Sequence, residues 1–201
     1  MEIIKRNFEE FCEMYGQDSG MVVKVWSTLG HHDCWLGGGA IRRTLIGQPL
    51  DSDFDFFFMN ADALESFKGR CDKAGLVKVK ETKHHIQFEG KLEGSELLIV
   101  VQAIFFKYYD TRFDVLDSFD YTITQFLYAG DSMWTTPEAL WDLGRKRLVI
   151  HKVSYPVATM RRMLKYTNQG FTACAGCMKT LFVETANNPD AMAELDIEYV
   201  D

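Results

Sequence analysis

The chain has 201 residues, of which 47% are apolar, and carries a formal net charge of −7 at neutral pH. This length predicts one domain or one domain with a small helical appendage, and the 15 phenylalanines predict a substantial core. The acidic balance argues against a strongly basic nucleic-acid surface, so DNA is not an expected partner. The sequence has no apolar run long enough to cross a membrane and no signal peptide, and its five cysteines are an odd number. We therefore expect a cytoplasmic protein with no membrane partner.

Hydrophobic periodicity predicts alternating helices and strands. The first helix is predicted over residues 4–15, where Phe8, Phe11 and Met14 recur at helical spacing, and the second over residues 20–29. Further helices are predicted at residues 40–46, 61–74, 112–116, 137–143, 156–169 and 173–185. Strands are predicted at residues 35–36, 51–58, 76–81, 85–89, 96–106 and 147–150. Residues 120–128 fit a strand or a helix, and the acidic tail after residue 187 is expected to be loose.

A glycine-rich turn precedes a short basic helix. Gly37, Gly38 and Gly39 follow the short strand and can adopt positive φ, which lets a phosphate approach the backbone. Backbone N–H groups at the start of the next helix are suited to hold phosphate, and Arg42 lies in its first or second turn. A helix-start turn without a ligand is the alternative interpretation.

Alternating carboxylates follow this helix. Side chains in a strand alternate between faces, so Asp51, Asp53 and Asp55 are predicted to share one face and Phe54 to point into the core. Close like charges repel by about 1 kcal/mol per pair even in water, and a divalent cation relieves this repulsion. The segment therefore predicts a metal site, with a solvated acidic edge as the alternative.

Two other groups of residues contain potential metal ligands, but we interpret them as structural. Cys174 and Cys177 form a C-x-x-C pattern, but zinc needs two more ligands and a redox motif is expected in a thioredoxin-like context. We therefore expect ordinary helix residues at both positions. His31 and His32 are adjacent in sequence, so their side chains are expected to face apart rather than to share a metal.

The ordered motifs resemble one family. The run from Gly38 to Gly47 is similar to Gly-Gly-x-Val-Arg-Asp-x-Leu-Leu-Gly, and an Asp-x-Asp motif follows at Asp53 and Asp55. Later segments at residues 118–124, 142–147 and 160–171 are similar to that family's further motifs in the same order. The chain thus resembles the catalytic head of class II tRNA nucleotidyltransferases and bacterial poly(A) polymerases, within the polymerase β-like superfamily.

The resemblance implies an α+β fold with a mixed central sheet flanked by helices and a short C-terminal helical extension. The implied division places the catalytic domain at residues 1–153 and a neck-like helical segment with an acidic tail at residues 154–201. Asp53 and Asp55 are implied as catalytic residues that hold Mg²⁺ or Mn²⁺. The implied nucleotide-binding residues are Gly38, Gly39, Arg42, Asp120, Arg162 and Lys165.

Two departures from the family pattern bear on function. Arg43 stands where the family has aspartate, and the long strand offers only Gln102 where a third carboxylate is expected. Glu89 or Glu96 is the candidate substitute. For Arg162 and Lys165 a solvated basic face is the alternative role, and for Asp120 a structural hydrogen bond.

The implied function is transfer of a nucleoside monophosphate from an NTP to an acceptor hydroxyl with release of pyrophosphate. The acceptor is an RNA or tRNA 3′ end, a small molecule or a protein, and the sequence does not indicate the oligomeric state. The alternative is a degenerate module of this fold that binds a nucleotide or a partner without turnover. A phosphatase with an Asp-x-Asp nucleophile is disfavoured because it would not explain the preceding glycine turn.

Overall fold

The computed structural model describes residues 1–187 and Pro189, and the following statements concern these residues. The helices are α1 (Phe8–Met14), α2 (Gly20–Leu29), α3 (Gly39–Leu45), α4 (Ala61–Lys73), α5 (Arg112–Ser118), α6 (Pro137–Gly144), α7 (Pro156–Asn168) and α8 (Ala175–Asn187). The strands are β1 (Ile4–Asn7), β2 (Cys34–Gly37), β3 (Phe54–Phe58), β4 (Val77–Glu81), β5 (His85–Lys91), β6 (Leu98–Ile104), β7 (Phe126–Ala129), β8 (Ser132–Thr135), β9 (Arg147–Leu148) and β10 (Thr172–Ala173).

Eight strands form one mixed sheet in the order β1-β8-β7-β2-β3-β6-β5-β4. The pair β3 and β6 is parallel, and all other neighbours in this sheet are antiparallel. Strands β9 and β10 form a separate parallel pair. The predicted α+β class, with a mixed central sheet flanked by helices, is confirmed.

The two faces of the sheet carry different cores. Phe54, Phe56 and Phe58 of β3 point to the larger core, which includes buried residues of α2 and α4. Phe57 lies on the opposite face in a smaller core that includes Val115 of α5. Because Asp55 shares the face of Phe57, this carboxylate lies at the end of the smaller core.

The N-terminal segment differs from the prediction. Residues 4–15 were expected to be one helix, but Ile4–Asn7 forms β1 and pairs with β8, a strand that the sequence pattern does not reveal. The helix begins only at Phe8, where the Asn7 side chain accepts a hydrogen bond from the Glu10 N–H at 3.1 Å. Backbone pairing with a distant strand outweighs the local helical periodicity here.

The C-terminal helices pack against the sheet domain. The Tyr121 hydroxyl donates a hydrogen bond to the Thr159 carbonyl of α7 at 2.8 Å, and the rings of Tyr121 and Tyr166 pack edge to face. Tyr166, Phe171 and Tyr121 are buried in the same core. The boundary predicted at residues 153/154 falls between β9 and α7 and stays a prediction. The predicted loose tail lies outside the described residues.

Within the described part of the chain, no helix has the length and apolar character needed to cross a membrane.

Candidate active site

Asp53 and Asp55 lie at the start of β3, beside the only parallel strand pair of the described sheet. Asp55 is in register with Gln102 on β6, so both side chains share one face. The Gln102 amide Nε2 donates a hydrogen bond to Asp53 Oδ2. The three side chains therefore form one polar cluster on the sheet face that carries the smaller core.

The glycine turn packs directly against this cluster. Gly38 has φ of +76°, and a Cβ added to it would lie 3.0 Å from Asp55 Oδ2. A Cβ at Gly39 would lie 3.4 Å from Ser52 Oγ. A larger residue at position 38 would combine backbone strain with a clash against the carboxylate. The two motifs that the sequence places next to each other are thus in contact in space.

The amides of the two glycines are not equivalent. The Gly38 N–H donates to the Phe126 carbonyl at 3.2 Å, which ties the turn to β7. Gly39 opens α3 and its N–H belongs to the first turn, where amides have no partner within the helix. Of the two predicted phosphate-holding amides, that of Gly39 is the better placed.

The residues around Asp55 shift the pKa of its carboxyl group. Burial and the neighbouring Asp53 raise the pKa of Asp55 well above its ordinary value. Lys165 and Arg162 of α7 oppose this effect, which places both cations near the carboxylate. The predicted cationic residues of α7 therefore act electrostatically on the predicted carboxylate Asp55.

Two buried oxygens of this cluster, Asp55 Oδ1 and Gln102 Oε1, have no hydrogen-bond partner among the described residues. The same holds for Ser52 Oγ, which lies beside Gly39 of the adjoining turn. An unpaired buried polar atom is costly, so a native site normally supplies it with a ligand or water. Carboxylate, hydroxyl and amide oxygens are hard donors of the kind that Mg²⁺ prefers. The donor set fits a divalent cation.

Asp51 does not join this cluster, contrary to the prediction that three carboxylates share a strand face. Strand β3 begins only at Phe54, and Asp51 is exposed in the preceding loop. Its Oδ1 pairs with Arg43 Nη1 at 2.5 Å, and the same guanidinium donates to the Pro49 carbonyl at 3.0 Å. Arg43, the departure from the family motif, therefore fixes the loop that turns Asp51 away from the site.

Neither of the two suggested substitutes for the third carboxylate lies beside Asp55. Glu96 pairs with Lys91 at 2.9 Å on the surface. Glu89 lies on β5, one strand beyond Gln102, and accepts a hydrogen bond from the Gln87 amide at 2.9 Å. Gln102 therefore occupies the strand position next to the carboxylate pair.

Arg42 has a different environment from the one that the motif suggests. Its side chain is buried, and Nη2 donates to Gln169 Oε1 at 2.8 Å. The guanidinium lies 4.6 Å from the ring centroid of Tyr166 and 5.5 Å from that of Phe171. Nε and Nη1 have no partner among the described residues. Arg42 thus connects α3 to the end of α7, and a phosphate contact by Arg42 stays a prediction.

Asp120 and Arg162 form an ion pair next to the site. Arg162 Nη1 donates to Asp120 Oδ2 at 2.9 Å, and the Asp120 side chain is largely buried. The Asp120 carbonyl also accepts the His151 N–H at 2.7 Å. The predicted structural alternative for Asp120 therefore has direct contacts to support it, while Arg162 is held in place beside Asp55.

The sequence reasoning missed the aromatic and amide residues that hold α7. Tyr166 and Gln169 enclose Arg42, and Ser52 lies against Gly39. A partial signal exists, because Tyr166 lies four residues after Arg162 and so shares its helix face. No local pattern pairs Gln169 with Arg42, since 127 positions separate them.

The expectation that the side chains of His31 and His32 face apart was wrong. The rings of His31 and His32 lie 3.9 Å apart, and their ligand nitrogens and an Asp33 oxygen fall within 4.8 Å of one another. These residues form a turn before β2, so the alternation expected in a regular element does not apply. The group lies before the first residue of β2, whereas Asp55 is in register with the last, Gly37.

Several solved structures share this fold, and their names describe CCA-adding enzymes and tRNA nucleotidyltransferases. A Thermotoga maritima CCA-adding enzyme complexed with tRNA matches at a TM-score of 0.64 and 16% identity, over 93% of this chain and 47% of that one. A CCA-adding enzyme in complex with CTP matches at 0.65 and 14%, over 93% and 46%. A tRNA nucleotidyltransferase complexed with a primer tRNA and an ATP analog matches at 0.55 and 16%, over 82% and 48%.

These matches confirm the nucleotidyltransferase fold that the motifs predict. The chain spans about half the length of the solved proteins that it resembles. No curated protein matches the chain in sequence.

A family model assigns the chain more specifically. The model described as Gabija anti-defense 2 family protein matches residues 2–146, which include the glycine turn, Asp53, Asp55 and Asp120. This match covers more than half of the sequence. The chain therefore belongs to the Gabija anti-defense 2 family.

Proposed function

We propose that this protein transfers a nucleoside monophosphate from an NTP to an acceptor hydroxyl in a metal-dependent reaction. The observation that carries the proposal is the contact of Asp55 with the Gly38 turn, beside Asp53 and three unpaired buried oxygens. Carboxylates beside a glycine turn and a cationic helix face are the parts that nucleotidyl transfer needs.

The proposed roles follow from position. Asp53 and Asp55 would hold Mg²⁺ or Mn²⁺, which when bound would neutralise charge on the phosphates and orient the attacking hydroxyl. The Gly39 amide at the start of α3 would hold a phosphate oxygen. Arg162 and Lys165 would face the triphosphate, because both already lie near Asp55. Asp120 would fix the orientation of Arg162.

In the proposed reaction the acceptor hydroxyl attacks the α-phosphorus in line with the leaving group. A new oxygen–phosphorus bond forms, the bond to the β-phosphate oxygen breaks, and pyrophosphate leaves. Pre-positioning of the phosphates by Gly39 and the α7 cations would supply most of the orientation. Arg42 would support this geometry by holding the end of α7.

Two observations bear on which molecule supplies the acceptor hydroxyl. The tRNA in two matched structures supports an RNA 3′ end, whereas the chain's net charge of −7 favours a small molecule or a protein side chain. The family description names an anti-defense role towards Gabija. We propose that nucleotidyl transfer is the chemistry through which the protein takes part in that role.

The test is label transfer from each α-labelled NTP in the presence of Mg²⁺ or Mn²⁺. Total RNA, a small-molecule extract and a protein extract from cells that carry a Gabija defence serve as separate acceptors. We expect label in one acceptor fraction with the wild-type chain and a loss of at least about 100-fold with Asp53→Asn, since the carboxylates act as a unit.

Asp51→Asn is the matched control. This variant also converts an aspartate to asparagine, two residues before Asp53. The Asp51 side chain, however, is exposed and pairs with Arg43 outside the cluster. Activity should stay far above that of Asp53→Asn, because the Asp51 side chain is exposed and lies outside the carboxylate cluster. Equal transfer by wild type and Asp53→Asn would contradict the assignment of the site.

The second candidate function is a module that binds nucleotide without turnover. The observation that favours it is Gln102, an amide where a carboxylate is expected beside Asp55. Metal-dependent NTP binding, lost in Asp53→Asn, with no label in any acceptor would support this candidate and contradict transfer.

A further inference from the structure

The start of α8 carries two cysteines one helical turn apart. Cys174 immediately precedes the helix and is exposed, whereas Cys177 lies in the first turn and is buried. All five cysteines of the chain are free thiols. Neither Cys174 nor Cys177 has a role in the nucleotidyl-transfer site.

Cys174 occupies the position that caps α8. Its carbonyl accepts the Met178 N–H at 3.2 Å, so the first helical hydrogen bond starts at this residue. The backbone N–H groups of Cys177 and Gly176 hold the pKa of the Cys174 thiol below its ordinary value. Unpaired amides and the positive end of the helix dipole favour a thiolate at this position.

Gly176 leaves the sulphur accessible. A Cβ added at Gly176 would lie 3.5 Å from Cys174 Sγ, so a side chain there would cover the sulphur from the helix side. With glycine at this position, the exposed Cys174 thiol can be approached along the line needed to attack another sulphur.

Cys177 has the opposite environment. Burial and the neighbouring Cys174 raise the pKa of the Cys177 thiol, so it stays protonated near neutral pH. Although Cys174 precedes the first helical residue, its carbonyl accepts the helical hydrogen bond from Met178, so the first turn of α8 sets its Cα about 5 Å from that of Cys177. This separation lies within the roughly 4.4–6.8 Å range that disulfides require. An exposed thiol with a lowered pKa thus lies within disulfide range of a buried thiol with a raised pKa.

A metal is a poorer match for this pair. A zinc site needs four ligands. Among the described residues, the group that could hold a metal ion is His31, His32 and Asp33, and it includes neither cysteine.

We propose that Cys174 and Cys177 form a redox-active dithiol that closes to a disulfide by exchange with small-molecule disulfides of the glutathione class. The Cys174 thiolate attacks one sulphur of the disulfide RSSR, whose S–S bond breaks to release one RS⁻. The Cys177 thiol loses its proton and its sulphur attacks Cys174 Sγ, which releases the second RS⁻. Two protein thiols are oxidised and one RSSR is reduced to two RSH.

The remaining cysteines provide internal controls. Burial raises the pKa of Cys12 to about 11 and those of Cys34 and Cys71 to about 12. All three are buried in the core, so exchange should leave them untouched in the folded protein.

The test incubates the folded full-length chain with oxidised glutathione, quenches with acid and alkylates with N-ethylmaleimide in denaturant. Peptide mass mapping should show that the protein has lost two hydrogens and that a disulfide bond joins Cys174 to Cys177. Dithiothreitol should reverse this change. Cys12, Cys34 and Cys71 should carry N-ethylmaleimide. Cys177→Ser should accumulate one glutathione on Cys174, and Cys174→Ser should take up none.

Native alkylation gives a second measurement. Iodoacetamide should modify Cys174 at least about tenfold faster than Cys177 at neutral pH. A Cys177→Ser protein with native circular dichroism and no glutathione adduct would overturn the proposal. So would a wild-type protein that keeps glutathione on Cys174 and never forms the disulfide with Cys177. Asp53→Asn should close the disulfide like wild type, because this proposal does not depend on nucleotidyl transfer.

Discussion

One residue separates Asp53 from Asp55, yet the two carboxylates have different partners. Asp53 accepts a hydrogen bond from Gln102, whereas Asp55 Oδ1 is buried without a partner among the described residues. The contact of Gly38 with Asp55 Oδ2 closes that side of the carboxylate. Asp55 is therefore the residue whose charge most requires a cation.

This environment predicts a pH dependence of stability in metal-free protein. Burial and Asp53 raise the pKa of Asp55, so the folded state binds this proton more tightly than the unfolded chain. The stabilisation is fully present below the unfolded value near about 3.9 and is lost as pH rises through the raised folded pKa. Thermal unfolding in EDTA should show a steeper fall of Tm with pH for wild type than for Asp55→Asn.

Addition of Mg²⁺ supplies the control. Wild-type Tm should rise with Mg²⁺ concentration because the ion binds the folded state, and Asp55→Asn should not respond. Identical pH profiles of the two proteins in EDTA would show that folding does not raise the pKa of Asp55.

Gln102 gives a second prediction at this scale. Gln102→Glu places a third carboxylate in register with Asp55 and removes the donor to Asp53. We expect the unfolding free energy in EDTA to fall by about 1–3 kcal/mol, since the hydrogen bond from Gln102 to Asp53 is lost and a like charge is added beside the carboxylate pair. The Mg²⁺-dependent rise in Tm should exceed that of wild type.

Gln102→Ala separates the two effects, because it removes the donor without adding charge. It should lower stability in EDTA without a larger Mg²⁺ response. A Gln102→Glu protein as stable as wild type in EDTA would mean that Gln102 does not face the carboxylate pair in solution.

Helix α7 is the element that joins the site to the rest of the molecule. Its Arg162 pairs with Asp120, and Tyr166 and the following Gln169 enclose Arg42 of α3. Lys165 lies near the same carboxylate as Arg162 but is exposed. Two cations on one helix face thus have different structural roles.

The contrast predicts different outcomes for two matched variants. Arg162→Gln leaves the largely buried Asp120 without its cation, and we expect a loss of about 1–3 kcal/mol in unfolding free energy after allowance for partial exposure. Lys165→Gln should change stability by less than about 0.5 kcal/mol. Urea unfolding measures both.

Nucleotide binding separates structural from ligand roles on this helix. If Lys165 faces the triphosphate as proposed, Lys165→Gln should weaken NTP binding several-fold with stability unchanged. Equal NTP affinity of Lys165→Gln and wild type would return Lys165 to the solvated-face interpretation that the sequence also allows.

At the scale of the whole molecule, the C-terminal helices share the core of the sheet domain. Four large side chains after residue 153 are buried there: Met163, Tyr166, Phe171 and Leu181. Each buried side chain of this size contributes about 1.5–3 kcal/mol, and domains have a net stability of about 5–15 kcal/mol.

A chain truncated after Val153 should therefore fail to fold cooperatively, although the sequence motifs suggest a domain boundary there. Circular dichroism and thermal unfolding of the truncated chain are the measurements. A cooperative transition within a few degrees of the full chain would support residues 1–153 as an independent domain. Truncation after Asn187 is the reference for this comparison, since it keeps all four side chains.

Much of the fold and part of the site could be predicted from local patterns. The bounds of α2 match the prediction, and α4 begins at Ala61 as predicted, where the Asn60 side chain accepts the Ala63 N–H; capping and hydrophobic periodicity act over a few residues. The spacing of Gly38 from Asp55 likewise indicated phosphate and metal chemistry. The edge strand β1 was missed because its partner β8 lies more than 120 positions away.

The sequence by itself determined the element types, the carboxylate pair and the glycine turn, since each depends on neighbouring residues. Only the tertiary structure decided that Asp51 leaves the site for Arg43, that Gln102 bonds Asp53, and that Arg42 lies between aromatic rings of the last helices. It also decided that Cys174 caps α8 beside a buried Cys177. These outcomes depend on loop paths and strand register, which depend on the packing of the whole chain.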